Sequence, residues 1–184
     1  MLILGVDPSL TATGLVLLDT GVTPGPRVLL HSTVRPRSKG QSLATRLVEL
    51  DRRVRDFLYD EVQYRTGSEI EAACEDPTDW KPHGGLQGRV ETTRIAKLGA
   101  AFGVAYLALA HTMPTTVYPT REWLPWKRNR RGGVHFLAHA DVKRLMLMAH
   151  PVLEGLTDDE LMAAGVALHH ATITRLTAAA GRDA

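Results

Sequence analysis

A single cysteine, Cys74, in 184 residues excludes an intrachain disulfide framework and suits a reducing compartment. Net charge is scarce too. Lys and Arg number 22 against 20 Asp and Glu, leaving +2, so overall charge does not announce a nucleic-acid binder and any such role must rest on how charge is distributed. A basic-apolar leader and a long uncharged apolar span are both missing, so a soluble cytoplasmic protein is expected. No internal repeat or low-complexity tract is found. What is present is a 44% hydrophobic composition, enough for a sizeable core in one domain spanning residues 1–184.

The opening stretch organises the rest. Leu2 to Val6 is an apolar run too short for a helix and rich in branched side chains, and it stops at Asp7-Pro8. Pro8 cannot continue a central strand, and Ser9, Thr11, Thr13 and Gly14 are turn formers ahead of a second run, Leu15 to Leu18. The two runs therefore read as a hairpin. Asp7 falls at the end of a buried strand, where a carboxylate is costly unless something positive or hydrogen-bonding meets it. It is a candidate for a metal ion or a sugar hydroxyl, or for simple capping of the turn.

Arg27 to Val34 reads as a third strand, completing an antiparallel meander, and Leu43, Leu47, Leu50, Val54, Phe57 and Leu58 recur at helical spacing up to about Gly67. Glu69 to Cys74 then repeats the ending of the first strand, with an acid and a proline in Glu75-Asp76-Pro77. A helix between the first and fourth strands lets them lie parallel, with Asp7 and Glu75 emerging at one edge. Thr78 to Val90 reads as a mobile loop beside that edge, and Thr92 or Thr93 as the cap of a helix to about Ala110 whose Ala96, Gly99, Ala100, Gly103 and Ala105 form a small-residue face. Thr115 to Tyr118 is a fifth strand candidate.

Positive charge gathers between Arg121 and Arg144: Arg121, Lys127, Arg128, Arg130, Arg131, Lys143 and Arg144, with Trp123, Trp126 and Phe136 between them. A basic, aromatic run broken by Gly132-Gly133 suits a flexible arm that grips phosphates and stacks or wedges at bases. His135 and His139 have a spacing that can bind zinc on a helix, but no Cys or further His stands nearby to complete a site. Thr157 and Glu160 form a capping box at the head of an alanine-rich helix. Asp158 and Asp159 in its first turn complement the helix dipole, and gain a functional role if this turn reaches Asp7 and Glu75.

In order, Ile3–Gly14, Ala-Cys-Glu at 73–75, Lys-Leu-Gly-Ala-Ala-Phe-Gly-Val-Ala at 97–105 and Ala-Ala-Gly-Val-Ala-Leu-His-His at 163–170 resemble the RuvC-type Holliday junction resolvases. The resemblance covers most of the chain. It implies an α/β, ribonuclease H-like fold with a five-stranded mixed sheet flanked by helices, and a homodimer that resolves four-way DNA junctions in recombination and repair. It further implies two Mg2+ or Mn2+ ions per active site, held by Asp7, Glu75 and either Asp159 or Asp158. The basic segment at about 121–144 would bind DNA through Lys127, Arg128, Arg130, Arg131, Lys143 and Arg144, with Trp80, Trp123 and Trp126 as candidates for base contact. One departure stands out: the family's last acidic position falls on Met162, and a thioether does not ligate a hard cation that wants oxygen.

The chemistry suits the residues. Hydrolysing a phosphodiester needs an oriented nucleophile and neutralised charge on the leaving oxygen, and two carboxylate-held divalent ions do both. Three other readings remain: a weakened or inactive junction-binding protein of the same fold, an ATPase or kinase of the sugar-kinase and actin-like class, and a nuclease for RNA–DNA hybrids. The second of these needs a repeated second lobe, and the chain has neither the length nor a second Asp-x-Gly hairpin.

Overall fold

The computed structural model describes residues 1–36, 40–63, 69–77, 88–124, 126–128, 134–136 and 139–181; for 88–94, 121, 126–128, 134–136 and 139 the backbone alone is described. The meander forms as expected from β1 (Leu2–Asp7), β2 (Thr13–Asp19) and β3 (Arg27–Val34), paired antiparallel. Thr13, fully buried, closes the first turn: its hydroxyl donates to the Ser9 carbonyl at 2.7 Å and accepts from the Ser9 amide at 3.0 Å.

Helix α1 (Leu43–Asp56) starts at Ser42, whose hydroxyl accepts from the Thr45 amide, and runs on into a π-helical stretch, Phe57–Gln63. Leu50, Val54, Leu58 and Val62 are fully buried at four-residue spacing, so the wider helical turn keeps one apolar stripe on the sheet. Three i,i+4 ion pairs, Glu49 with Arg53, Asp51 with Arg55 and Arg52 with Asp56, match six of the charges on this stretch. The expected helix end near Gly67 lies outside the described residues.

β4 (Ile70–Asp76) pairs parallel to β1, and β5 (Thr115–Pro119) parallel to β4, giving the order β3-β2-β1-β4-β5 in one mixed sheet. Helix α2 (Gly88–Ala110) begins upstream of the expected Thr92 or Thr93 cap, so Gly88–Val90 is helical rather than loop. No proline interrupts this stretch and Glu91 is a good helix former, so nothing local stops the helix from extending past either threonine. The expected small-residue stripe is split: Ala101, Ala105 and Ala108 are fully buried, whereas Ala96 is exposed and Gly103 faces open space.

The basic segment has regular structure where it is described. A short helix α3 (Thr120–Trp123) leads to a two-stranded hairpin, β6 (Trp126–Arg128) with β7 (Val134–Phe136), and then to α4 (His139–Ala149). His135 is thus in a strand and His139 opens a helix, so the two do not share one helical face. A 3-10 turn, Pro151–Leu153, leads to α5 (Asp158–Ala180). Among the described residues no helix is long and apolar enough to cross a membrane.

Strand alternation sorts the core into two layers. Leu4, Val6, Leu15, Leu17, Ala72 and Cys74 face α1 and α2; Ile3, Val16, Leu18 and Ala73 face α5. Helix α5 lies unusually close. A Cβ on Gly5 would stand 1.9 Å from the Ala163 carbonyl oxygen, and one on Gly14 would stand 2.0 Å from that of Asp159. Only glycine fits where the helix backbone meets the strands.

Candidate active site

Asp7 ends β1 and Glu75 lies one residue from the end of β4. Val6 is the register partner of Cys74 in the parallel ladder, so the following residues, Asp7 and Glu75, leave the sheet side by side. Both belong to the set of alternate residues that faces α5, with Ile3 on one strand and Ala73 on the other. The Asp7 carboxyl is held well above the usual carboxylate range, first by burial, then by the charge of Glu75 and a hydrogen bond with it, and then by the charge of Asp159. Burial and neighbouring like charge both disfavour the ionised form there.

The first turn of α5 brings the third carboxylate. Asp7 pairs with Gly14 across the hairpin, and the Asp159 backbone rests on Gly14, so the absence of a side chain at position 14 sets Asp159 near Asp7. Burial raises the Asp159 pKa; Arg35, 3.9 Å away just beyond β3, opposes the rise, while Asp158 and Glu160 add to it. Asp158 turns elsewhere: it is 70% exposed and pairs with Lys143 at 2.8 Å. The structure therefore separates the two aspartates that the sequence left interchangeable.

Glu160 is a capping residue. It completes the expected capping box with Thr157 and reaches β3, accepting from Thr33 at 3.0 Å, with His31 3.3 Å away. Burial works against its charge, but the Thr157 amide, His31 and Thr33 outweigh it and leave the pKa lowered. Met162 is 5% exposed and packs with Leu124 and Val142, so a hydrophobic contact occupies the position where the resemblance implies an acid.

Other sequence candidates fall in different surroundings. The Trp123 indole packs against α5: a Cβ on Gly165 would lie 2.6 Å from its ring, and its Nε1 is buried with no hydrogen-bond partner among the described residues. That is an inward, core-edge placement rather than one for contacting bases. Lys143 is engaged by Asp158, and Arg144 by Asp141 at 3.5 Å, both on the surface of α4. Trp126, Lys127 and Arg128 lie on β6, of which the backbone alone is described; Trp80, Arg130 and Arg131 lie outside the described residues.

Two groups at the site escaped the sequence reading. Arg35 is 63% exposed beside Asp159, and nothing in the residues that follow the third strand marks it out. Thr120 donates to Glu75 Oε1 at 2.5 Å, and nothing about a threonine after Tyr118-Pro119 advertises that. Farther along the α5 face, buried His170 bridges the Tyr118 hydroxyl and Glu71 with 2.8 Å contacts on its two ring nitrogens.

The donor set suits a hard divalent cation. Carboxylate oxygens are the ligands Mg2+ and Mn2+ favour, and Asp7, whose pKa is raised first by burial and then by the charges of Glu75 and Asp159, lies beside two further carboxylates. Among the described residues, no group of three or more His, Cys, Asp and Glu is already disposed to hold a metal ion.

A five-stranded mixed sheet of this order with flanking helices is a ribonuclease H-like fold. Two solved structures of Thermus thermophilus RuvC share it. One, in complex with a Holliday junction substrate, has a TM-score of 0.64 and 20% identity over 96% of each chain. The other has a TM-score of 0.64 and 21% identity over 96% of this chain and 97% of that one. No protein-family model matches the sequence. No curated protein matches it either.

Proposed function

We propose that the chain is a RuvC-type nuclease that resolves four-way DNA junctions by paired, divalent-cation-dependent cuts, acting as a homodimer. The observation that carries this reading is the pairing of Asp7 with Glu75 at one end of a ribonuclease H-like sheet, with Asp159 near enough to act on Asp7 through its charge. The Holliday junction substrate in the complex of the similar Thermus thermophilus protein supports the substrate class.

Asp7, Glu75 and Asp159 would hold the cations. When bound, divalent ions supply an activated water and neutralise charge on the leaving oxygen. Asp7 feels the charge of both Glu75 on β4 and Asp159 on α5. Arg35 offers a cation at the rim, where it can exchange Asp159 for a substrate phosphate. Lys143 and Arg144 are exposed on α4, with Lys127 and Arg128 on the hairpin that precedes it in the chain, a distribution suited to holding duplex arms by their backbones.

Met162 favours a second reading, a junction-binding protein with weakened or lost cleavage, because its buried thioether supplies no oxygen. One experiment separates the two. Labelled four-way DNA is incubated with the protein and Mg2+ or Mn2+, alongside Asp7→Asn. Symmetric nicks that vanish in the variant while binding persists are expected for the nuclease. Junction binding with no nicks under either ion establishes the second reading, and absence of junction binding overturns both.

A further inference from the structure

We infer that Thr120 is a positioning residue for Glu75, and through it for the cation site; the inference rests on the nuclease reading above. The Thr120 hydroxyl lies 2.5 Å from Glu75 Oε1 and 3.4 Å from the Asp76 carbonyl oxygen. An ionised carboxylate only accepts, so the hydroxyl is the donor, and the contact is at the short end for a charge-assisted O–H···O bond.

The backbone explains why the bond forms. Glu75 is opposite Tyr118 and Asp76 opposite Pro119 in the parallel ladder, so the residue after Pro119 arrives level with the end of β4. Pro119 restricts its own φ, and the branched β-carbon of threonine restricts χ1. The hydroxyl is therefore aimed from a stiff junction between β5 and α3.

Glu75 needs such an anchor more than Asp7 does. It has one more side-chain torsion than an aspartate, and it shares its space with a carboxyl that repels it whenever both are ionised. The Thr120 bond holds the Glu75 carboxyl at Oε1. Partners of this kind orient metal ligands in general, and their loss weakens metal binding with the ligand set intact.

The test is a calorimetric titration of Mn2+ into the full chain without DNA, for wild type, Thr120→Val, Thr120→Ala and Thr120→Ser. Thermal midpoints and junction binding are measured on the same samples. The Val and Ala variants are expected to lose about 10-fold or more in Mn2+ affinity, and the Ser variant to stay within about 3-fold of wild type, with junction binding unchanged. Should Thr120→Val not fold, the Ala and Ser pair decides. Wild-type affinity in a folded variant lacking the hydroxyl overturns the inference, as does a Ser variant as weak as the Ala variant. If wild type itself takes up no Mn2+, the cation-dependent nuclease reading falls first and the inference falls with it.

Discussion

The two faces of the central sheet are built from alternate residues of the same strands, yet they do different work. Towards α1 and α2, Leu4, Val6, Leu15 and Leu17 meet Leu50, Val54 and Leu58 in an ordinary apolar layer of large side chains. Towards α5, Gly5 and Gly14 give way to helix backbone, and the same face ends in Asp7 and Glu75. Bulk on one face supplies burial. Lack of bulk on the other lets a helix carry an acid to within electrostatic reach of Asp7.

Breaking each face should have different consequences. Leu50→Ala is expected to cost about 2–5 kcal/mol of stability, by transfer and cavity terms, and to leave Mn2+ affinity unchanged. Gly14→Ala places a methyl where the Asp159 carbonyl stands, so it should cost about 1–3 kcal/mol or more by overpacking and also weaken Mn2+ binding. Denaturant unfolding and metal titration on both variants check this, and equal loss of metal affinity from both would erase the distinction between the faces.

A smaller effect tests the strain at the acid cluster. The Asp7 pKa is raised on folding, so its ionisation opposes the folded state: stability is greatest below the unfolded carboxylate value and falls as pH rises toward the folded one, then stays low. Asp7→Asn removes that penalty. In chelator at pH 7 the variant should be more stable than wild type, with the gain shrinking on added Mn2+. Wild-type stability in chelator would contradict the strain.

The capping box of α5 should matter less. Thr157→Ala removes the acceptor for the Glu160 amide and is expected to cost about 1 kcal/mol. The Glu160 pKa is lowered on folding, so its contribution is present above the unfolded glutamate value and is lost as pH falls through the folded one. Urea unfolding at neutral and acidic pH measures both. The smallest change is expected from Lys143→Ala: about 0.5 kcal/mol or less from losing its exposed pair with Asp158. Its salt dependence of junction binding should nevertheless become shallower, by about 0.9 in log–log slope if the lysine meets a phosphate.

Much of this was legible in the chain itself because it is written in local patterns. Two strands that each end in an acid close to a proline announce Asp7 and Glu75, and the box of Thr157 with Glu160 announces where α5 starts. The start of α2 was misplaced because a good threonine cap does not prevent a helix from beginning upstream. Trp123 looked like a base-stacking residue because composition reveals an aromatic in a basic run without revealing which way it points; Gly165 makes room for it against α5. Asp158 and Asp159 are chemically equal neighbours, and only the helix's rotation on Gly14 distinguishes them.

By itself, then, the sequence determined the alternation that puts Asp7 and Glu75 on one face, the parallel strand ends that bring them level, and the helix that begins at Thr157. Tertiary structure alone decided that Asp159 rather than Asp158 approaches, that Thr120 holds Glu75, and that Met162 is core. The physical reason is distance along the chain. Periodicity and capping act among near neighbours, whereas contacts such as Thr120 with Glu75 or Asp159 with Gly14 exist only once separate elements are packed.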